Sequence, residues 1–272
     1  MPEQNRVDRF IQAFPKYLLL FTILFLITIY ILIWLIDFKQ VYVPGLTEWK
    51  DQFPAPIFWL QVFREQGIVE NLQWLFLAFS TILTVMMAII ENNKRKKYVI
   101  GWLTLSFGLF IMFLEDTVNL RHKLNRFLAE NLHFGPGSLN EWAGSIYGIS
   151  VEITVYTLLG LLMLNSFYRL YFSALNIVAK KYMLAGFIFY GIASIASATR
   201  NIGDWYIKIG TIFLDYILKS KELTWASDSV LFMRAPLSFY FIDNVIEESF
   251  ELIGATLLLC MILAQYCTFK NE

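Results

Sequence analysis

Four carboxylates stand inside the last long apolar stretch of the chain: Asp243, Glu247, Glu248 and Glu251. A charge near the centre of a membrane helix costs about 2.5–3.5 kcal/mol on insertion scales. Acids in such a place are therefore treated first as a functional site. Further acids share the pattern. Glu70 opens one apolar stretch, Glu115 and Asp116 close another, and Glu152 lies inside a third. Counter-charges are fewer, with Arg121, Arg200 and Arg234 as the available ion-pair partners. The eight acids outnumber these three arginines, so the surplus must be neutralised, solvated in a cavity or bound to a cation.

Three chemistries suit that surplus. Paired carboxylates in a dry site repel one another and can exchange protons as acid and base. Glu247, Glu251 and Glu152 are the candidates for catalysis, with Glu115 and Asp116 as a second pair. Hard divalent cations take several carboxylate oxygens, and Glu115, Asp116, His122 and Glu248 are the candidate ligands. A divalent metal is thus the cofactor these acids would accept. With only His122 and His133 present, a three-histidine zinc site is excluded, and no His-Glu-x-x-His motif occurs. The third chemistry is structural: acids paired with arginines of this chain or of a partner subunit, fixing helix register.

The elements that must position these groups are membrane helices. The chain is 57% hydrophobic and only 16% charged, with a mean hydropathy of +0.55, whereas a soluble domain carries about 25% charged residues. Six stretches, at about 17–36, 68–90, 98–119, 142–167, 182–199 and 241–266, have the roughly 20 apolar residues a crossing needs. They predict an all-α polytopic membrane bundle of six spans, a single transmembrane domain over residues 1–272. The net charge of zero gives no reason to expect nucleic acid. The first apolar stretch is followed by no small-residue cleavage site, so it reads as a span rather than a cleaved signal. Cys260 and Cys267 read as small packing residues.

Basic residues set the orientation. Arg6, Arg9 and Lys16, then Lys94 to Lys97, then Arg169, Lys180 and Lys181, and finally Lys270 all fall on one side of a six-span chain. Cytoplasmic loops carry that excess, so both termini are expected in the cytoplasm of a bacterial inner membrane. The opposite loops hold segments suited to the interface. Ile57 to Phe63 is apolar, residues 120–141 alternate basic and apolar, and Trp205 to Leu218 is broken by Lys208 and Asp215. Amphipathic segments of this kind lie in the headgroup plane and would roof the outer end. The acids of the spans also lie towards that end, whereas the inner halves are apolar up to Glu91. That asymmetry argues against a conducting path through the bilayer.

Helical spacing groups the acids. Asp243, Glu247 and Glu251 fall at i, i+4 and i+8 and share a face, continued by Gly254, Ala255 and Leu258. Gly144, Gly148 and Glu152 form a second stripe, and Ala193, Ser197 and Arg200 a third. Small residues at this spacing let helices approach closely. Spans four, five and six are therefore expected to converge, with Arg200 facing Glu152 or Glu247.

Three short motifs resemble a loose group of uncharacterised bacterial multi-pass membrane proteins. They are Arg64-Glu65-Gln66-Gly67-Ile68-Val69-Glu70 entering a span, Glu115-Asp116 with Arg121-His122 beyond it, and Glu247-Glu248-Ser249-Phe250-Glu251-Leu252-Ile253-Gly254-Ala255. The resemblance implies a common helical layout but no activity. The expectation is a carboxylate-rich site open to the periplasm, binding a divalent cation or a polar lipid headgroup from the bilayer, with a structural or assembly subunit as the alternative.

Overall fold

The computed structural model describes residues 2–52, 57–64, 66–94, 98–118, 120, 123–124, 127, 141–200, 202–214 and 236–271, with backbone alone for 2–11, 141–152 and 270–271. No strand occurs among the described residues. Six helical segments are long and apolar enough to cross a membrane: Gln12–Phe38, Phe58–Lys94, Val99–Val118, Ile153–Tyr171, Ile177–Thr199 and Leu237–Phe269. The chain is an all-α polytopic membrane protein. The start of span one and the end of span six lie at one end of the bundle, where Cys260 reaches Pro15; this is called here the terminal end, and the acids gather towards the far end.

Most spans run past their predicted ends, because polar residues continue a helix that neighbouring helices already support. Span one begins within a helix from Pro2 to Ile33, and span four belongs to a helix from Glu141 to Tyr171. Span six is the hub. It packs on spans one, two and five, while span two packs on three, three on four, and four on five. A helix apolar on every side belongs in the middle, and Leu252, Ala255, Leu258, Cys260, Met261 and Ile262 of span six are all fully buried. Outer faces carry large apolar residues such as Phe21, Ile82, Phe107, Leu161 and Ile195 at half exposure or more. That belt is stable only against lipid.

Close crossings follow the small residues. A Cβ built on Gly254 would meet the Tyr190 backbone nitrogen at 3.0 Å, and one on Gly186 would meet the Gly254 carbonyl oxygen at 3.3 Å. Spans five and six therefore touch backbone to backbone. Polar pins join span one to span six: Thr22 to Thr256 at 3.1 Å and the Tyr30 hydroxyl to Ser249 at 2.8 Å. Cys260 and Cys267 are buried and share no disulfide, as their packing role requires, and the Cys260 thiol donates to the Pro15 carbonyl at 3.0 Å.

One of the far-end segments differs from the expected roof. Ile57–Phe63 does not lie at the interface. Its helix, Phe58–Phe63, is buried throughout and plugs the bundle. Asp37 makes that possible. Span one ends in a wider π-helical turn, Trp34–Phe38, which brings the buried Asp37 carboxylate onto the Phe58 and Trp59 amides at 2.8 and 2.9 Å. Those are two of the orphan donors every helix start must satisfy. The Trp205–Ile212 helix has two faces as expected, with Ile209 and Ile212 outward and Tyr206 and Gly210 inward. It crosses the start of span six so closely that a Cβ on Gly210 would strike the Ser238 carbonyl.

Candidate functional site

The polar cluster sits where spans two, three, five and six meet near the far end. Its entrance is shaped by the acid-Gly-acid motif. Gln66 takes a left-handed backbone with φ of 64°, and its amide donates to the Glu70 carboxylate. Gly67 has no room for a side chain, since a Cβ would lie 2.5 Å from the Val62 carbonyl oxygen. Together these turn the chain from the buried plug into span two. Glu70 thereby caps its own helix, a role that suits an acid in a first turn.

One turn inside, Gln73 is completely buried and central. Its amide nitrogen lies 2.7 Å from Asp116 Oδ2, 2.8 Å from Glu251 Oε2 and 3.0 Å from the Tyr190 hydroxyl. Tyr190 in turn donates to Asp116 at 3.2 Å. Three helices thus point acceptors at one amide. Glu248 lies within electrostatic reach of Glu251, Glu70 and Asp116, and Glu115 within reach of Asp116. Among the described residues Gln73 Oε1 and Glu248 Oε2 are buried and meet no hydrogen-bond donor. An amide supplies two N–H groups and a phenol one O–H.

A second polar group lies nearer the far end. Arg200 donates to Asp243 at 3.1 Å, and the buried Tyr206 hydroxyl donates to Glu247. Burial, reinforced by the Glu247 carboxylate, pushes the Tyr206 phenol above its ordinary range. Of the expected partners of Arg200, Glu247 lies within its electrostatic reach and the side chain of Glu152 lies outside the described residues; the hydrogen-bonded ion pair is with Asp243. Span six opens here with the π-helical turn Phe241–Glu247. A π turn takes more residues than an α turn, which shifts how the three acids face their neighbours, although Glu247 stays within electrostatic reach of both Asp243 and Glu251. Asp243, Glu247 and Glu251 reach Arg200, Tyr206 and Gln73 respectively. The expected convergence of spans four, five and six is also redistributed. Span four packs on three and five, and the polar junction is built by two, three, five and six.

The other candidates divide plainly. Glu247 and Glu251 are both in the polar region and within electrostatic reach of each other. Glu115, Asp116 and Glu248 share the Gln73 cluster. Arg121, Arg234, His122 and the side chain of Glu152 lie outside the described residues, and Gly144 and Gly148 are described by backbone alone. Among the described residues no three His, Cys, Asp or Glu side chains are grouped to hold a metal ion. The sequence reading missed Gln73, Tyr190, Tyr206 and Asp37. Gln73 carried a usable signal, being an amide three residues after Glu70 at the start of a long apolar run. The tyrosines carried none, since aromatic residues are common throughout the chain.

No protein-family model matches the chain, and no curated protein or solved structure matches it. Fold and site together define an integral membrane protein of six spans with an embedded, acceptor-rich polar junction.

Proposed function

We propose that the junction around Gln73 is a binding site for a polar headgroup that brings hydrogen-bond donors, with a primary ammonium as the best-suited group. The observation that carries this reading is the donor deficit. Gln73 Oε1 and Glu248 Oε2 are buried without a donor, while one amide nitrogen is contested by Asp116, Glu251 and Tyr190. A buried acceptor left unmade costs about 1–3 kcal/mol, and an ammonium supplies three donors together with a compensating charge. The described carboxylates are not gathered as a metal would need, which favours an organic cation over the divalent ion. Glu247 and Glu251 are the pair suited to exchanging a proton with the bound group.

The excess of Lys and Arg at the terminal end supports cytoplasmic termini, which turns the site towards the periplasmic face of a bacterial inner membrane. The Arg200–Asp243 pair supports a second reading, in which the acids hold the bundle or a partner subunit together. Thermal unfolding of the purified protein separates them. Ethylammonium should raise the melting temperature of the wild type and leave Glu251→Gln unaffected, with the variant still folded. A chelator and added Mg²⁺, Ca²⁺ or Mn²⁺ should change nothing. If Glu251→Gln unfolds the bundle and ethylammonium has no effect on the wild type, the structural reading stands. If a divalent cation alone stabilises the protein, the metal reading replaces both.

A further inference from the structure

An apolar groove of about 510 Å³ lies between spans four and five, with Met112 of span three and Leu258 of span six at its floor. It follows span five from Thr199 to Phe187, about 18 Å at 1.5 Å per residue. Two glycines widen it. Gly160 and Gly191 line the groove from opposite helices, and a Cβ on either would meet nothing within 4 Å. Leu164 and Ile195 also line it and are more than half exposed, so it opens sideways to the surrounding lipid.

The groove and the polar junction share a wall. Tyr190 lines the groove, and its hydroxyl lies 3.0 Å from the Gln73 amide and 3.2 Å from Asp116. Met112 stands one helical turn from Asp116, and Leu258 two turns from Glu251, on the same helix faces. An apolar groove thus borders a junction in which, among the described residues, Gln73 Oε1 and Glu248 Oε2 meet no donor. The occupant that satisfies both halves has a hydrocarbon chain and a donor-bearing cationic head. An anionic head would face Asp116, Glu248 and Glu251 with like charge.

Resting on the headgroup site proposed above, we infer that the ligand is a membrane lipid of the long-chain amine class. Its chain lies between spans four and five, and its ammonium reaches the Gln73 junction past Tyr190. Filling the groove should therefore remove the contribution of the chain and spare that of the head.

The test is competition for radiolabelled ethylamine on the full-length protein in phosphatidylcholine nanodiscs, with empty nanodiscs as the blank. Hexadecylamine should displace it at a concentration at least about tenfold below that of unlabelled ethylamine, because burying the chain adds apolar contact. Hexadecanol should displace it weakly. Gly191→Leu, with Gly160→Leu as the second variant, should erase the chain-length preference while ethylamine binding itself persists, which also reports that the variant is folded. Equal displacement by both amines, or a preference that survives both glycine variants, overturns the groove assignment and leaves the headgroup site standing. Hexadecanol as effective as hexadecylamine overturns the ammonium head. Absence of ethylamine binding to the wild type overturns the headgroup site and this inference together.

Discussion

Two side-chain amides, the half-buried Asn176 and the buried Gln73, one near each end of the bundle, are satisfied in opposite ways. At the terminal end, Asn176 caps span five, its Oδ1 accepting from the Val178 and Ala179 amides at 2.9 Å each. Its amide nitrogen reaches Thr268 Oγ1 at 2.8 Å, Gln265 Oε1 at 3.1 Å and the Ala264 carbonyl at 3.2 Å. Gln265 also accepts from the Asn176 backbone at 2.9 Å. Both ends of that amide are used, and the group locks the turn between spans four and five onto the end of span six. At the far end, Gln73 has acceptors crowded on its nitrogen and nothing on its oxygen. A closed network of the first kind holds a fold together. An open one of the second kind is costly to the empty protein and gains from a ligand that closes it.

Substitutions at the two amides should break in different currencies. Asn176→Ala should give the largest loss of stability, about 3 kcal/mol, from the missing cap and the partners left unmade on span six. Chemical unfolding in mild detergent, followed by tryptophan fluorescence, measures it. Gln73→Leu should change stability by less than about 1 kcal/mol, since it removes an unsatisfied oxygen together with its bonds, but it should abolish the ethylammonium response. A loss at Gln73 as large as that at Asn176 would make the far end an ordinary structural network.

Next in size is the crossing that brings Tyr190 to the junction. Gly254→Ala places a methyl group 2.8 Å from the Tyr190 ring and 3.0 Å from its backbone nitrogen, and overpacking of this kind costs about 1–3 kcal/mol. The melting temperature should fall, and ligand binding with it. Asp37→Ala should cost about 1–2 kcal/mol by uncapping the Phe58–Phe63 plug. Hydrogen exchange should show that plug loosened and the terminal end unchanged. If exchange rises equally at both ends, the plug is not an independently capped element.

The smallest effect is a dependence on pH. Tyr206 titrates higher in the folded protein than in the unfolded chain, because burial and Glu247 disfavour its phenolate. A folded state that keeps its proton loses relative stability as pH rises past the unfolded value of about 10. Tyr206→Phe should therefore flatten the alkaline part of a plot of melting temperature against pH and leave the neutral part nearly parallel to wild type. Parallel curves up to high pH would remove Tyr206 from the account.

The fold was legible because a bilayer demands long apolar helices, and little else in a sequence imitates them. The acids were legible for the complementary reason, that carboxylates such as Glu251 are conspicuous in an apolar run. Their partners were not. The i, i+4, i+8 stripe presumed an unbroken α-helix, and the π turn at Phe241–Glu247 sent Asp243, Glu247 and Glu251 to three separate neighbours. Asp37 looked like the first residue of a loop, yet the widened end of span one turns it inward as a cap. Which backbone turn widens, and which neutral side chain completes an acid, is decided by packing between segments far apart in sequence.

The central claim is that the Gln73 junction is an open site awaiting donors. Isothermal titration of ethylammonium chloride into the purified protein tests it most directly. One saturable site should appear in the wild type and vanish in both Glu251→Gln and Asp116→Asn, with circular dichroism of the variants unchanged. Absence of saturable heat in the wild type, or binding that survives both substitutions, would contradict it.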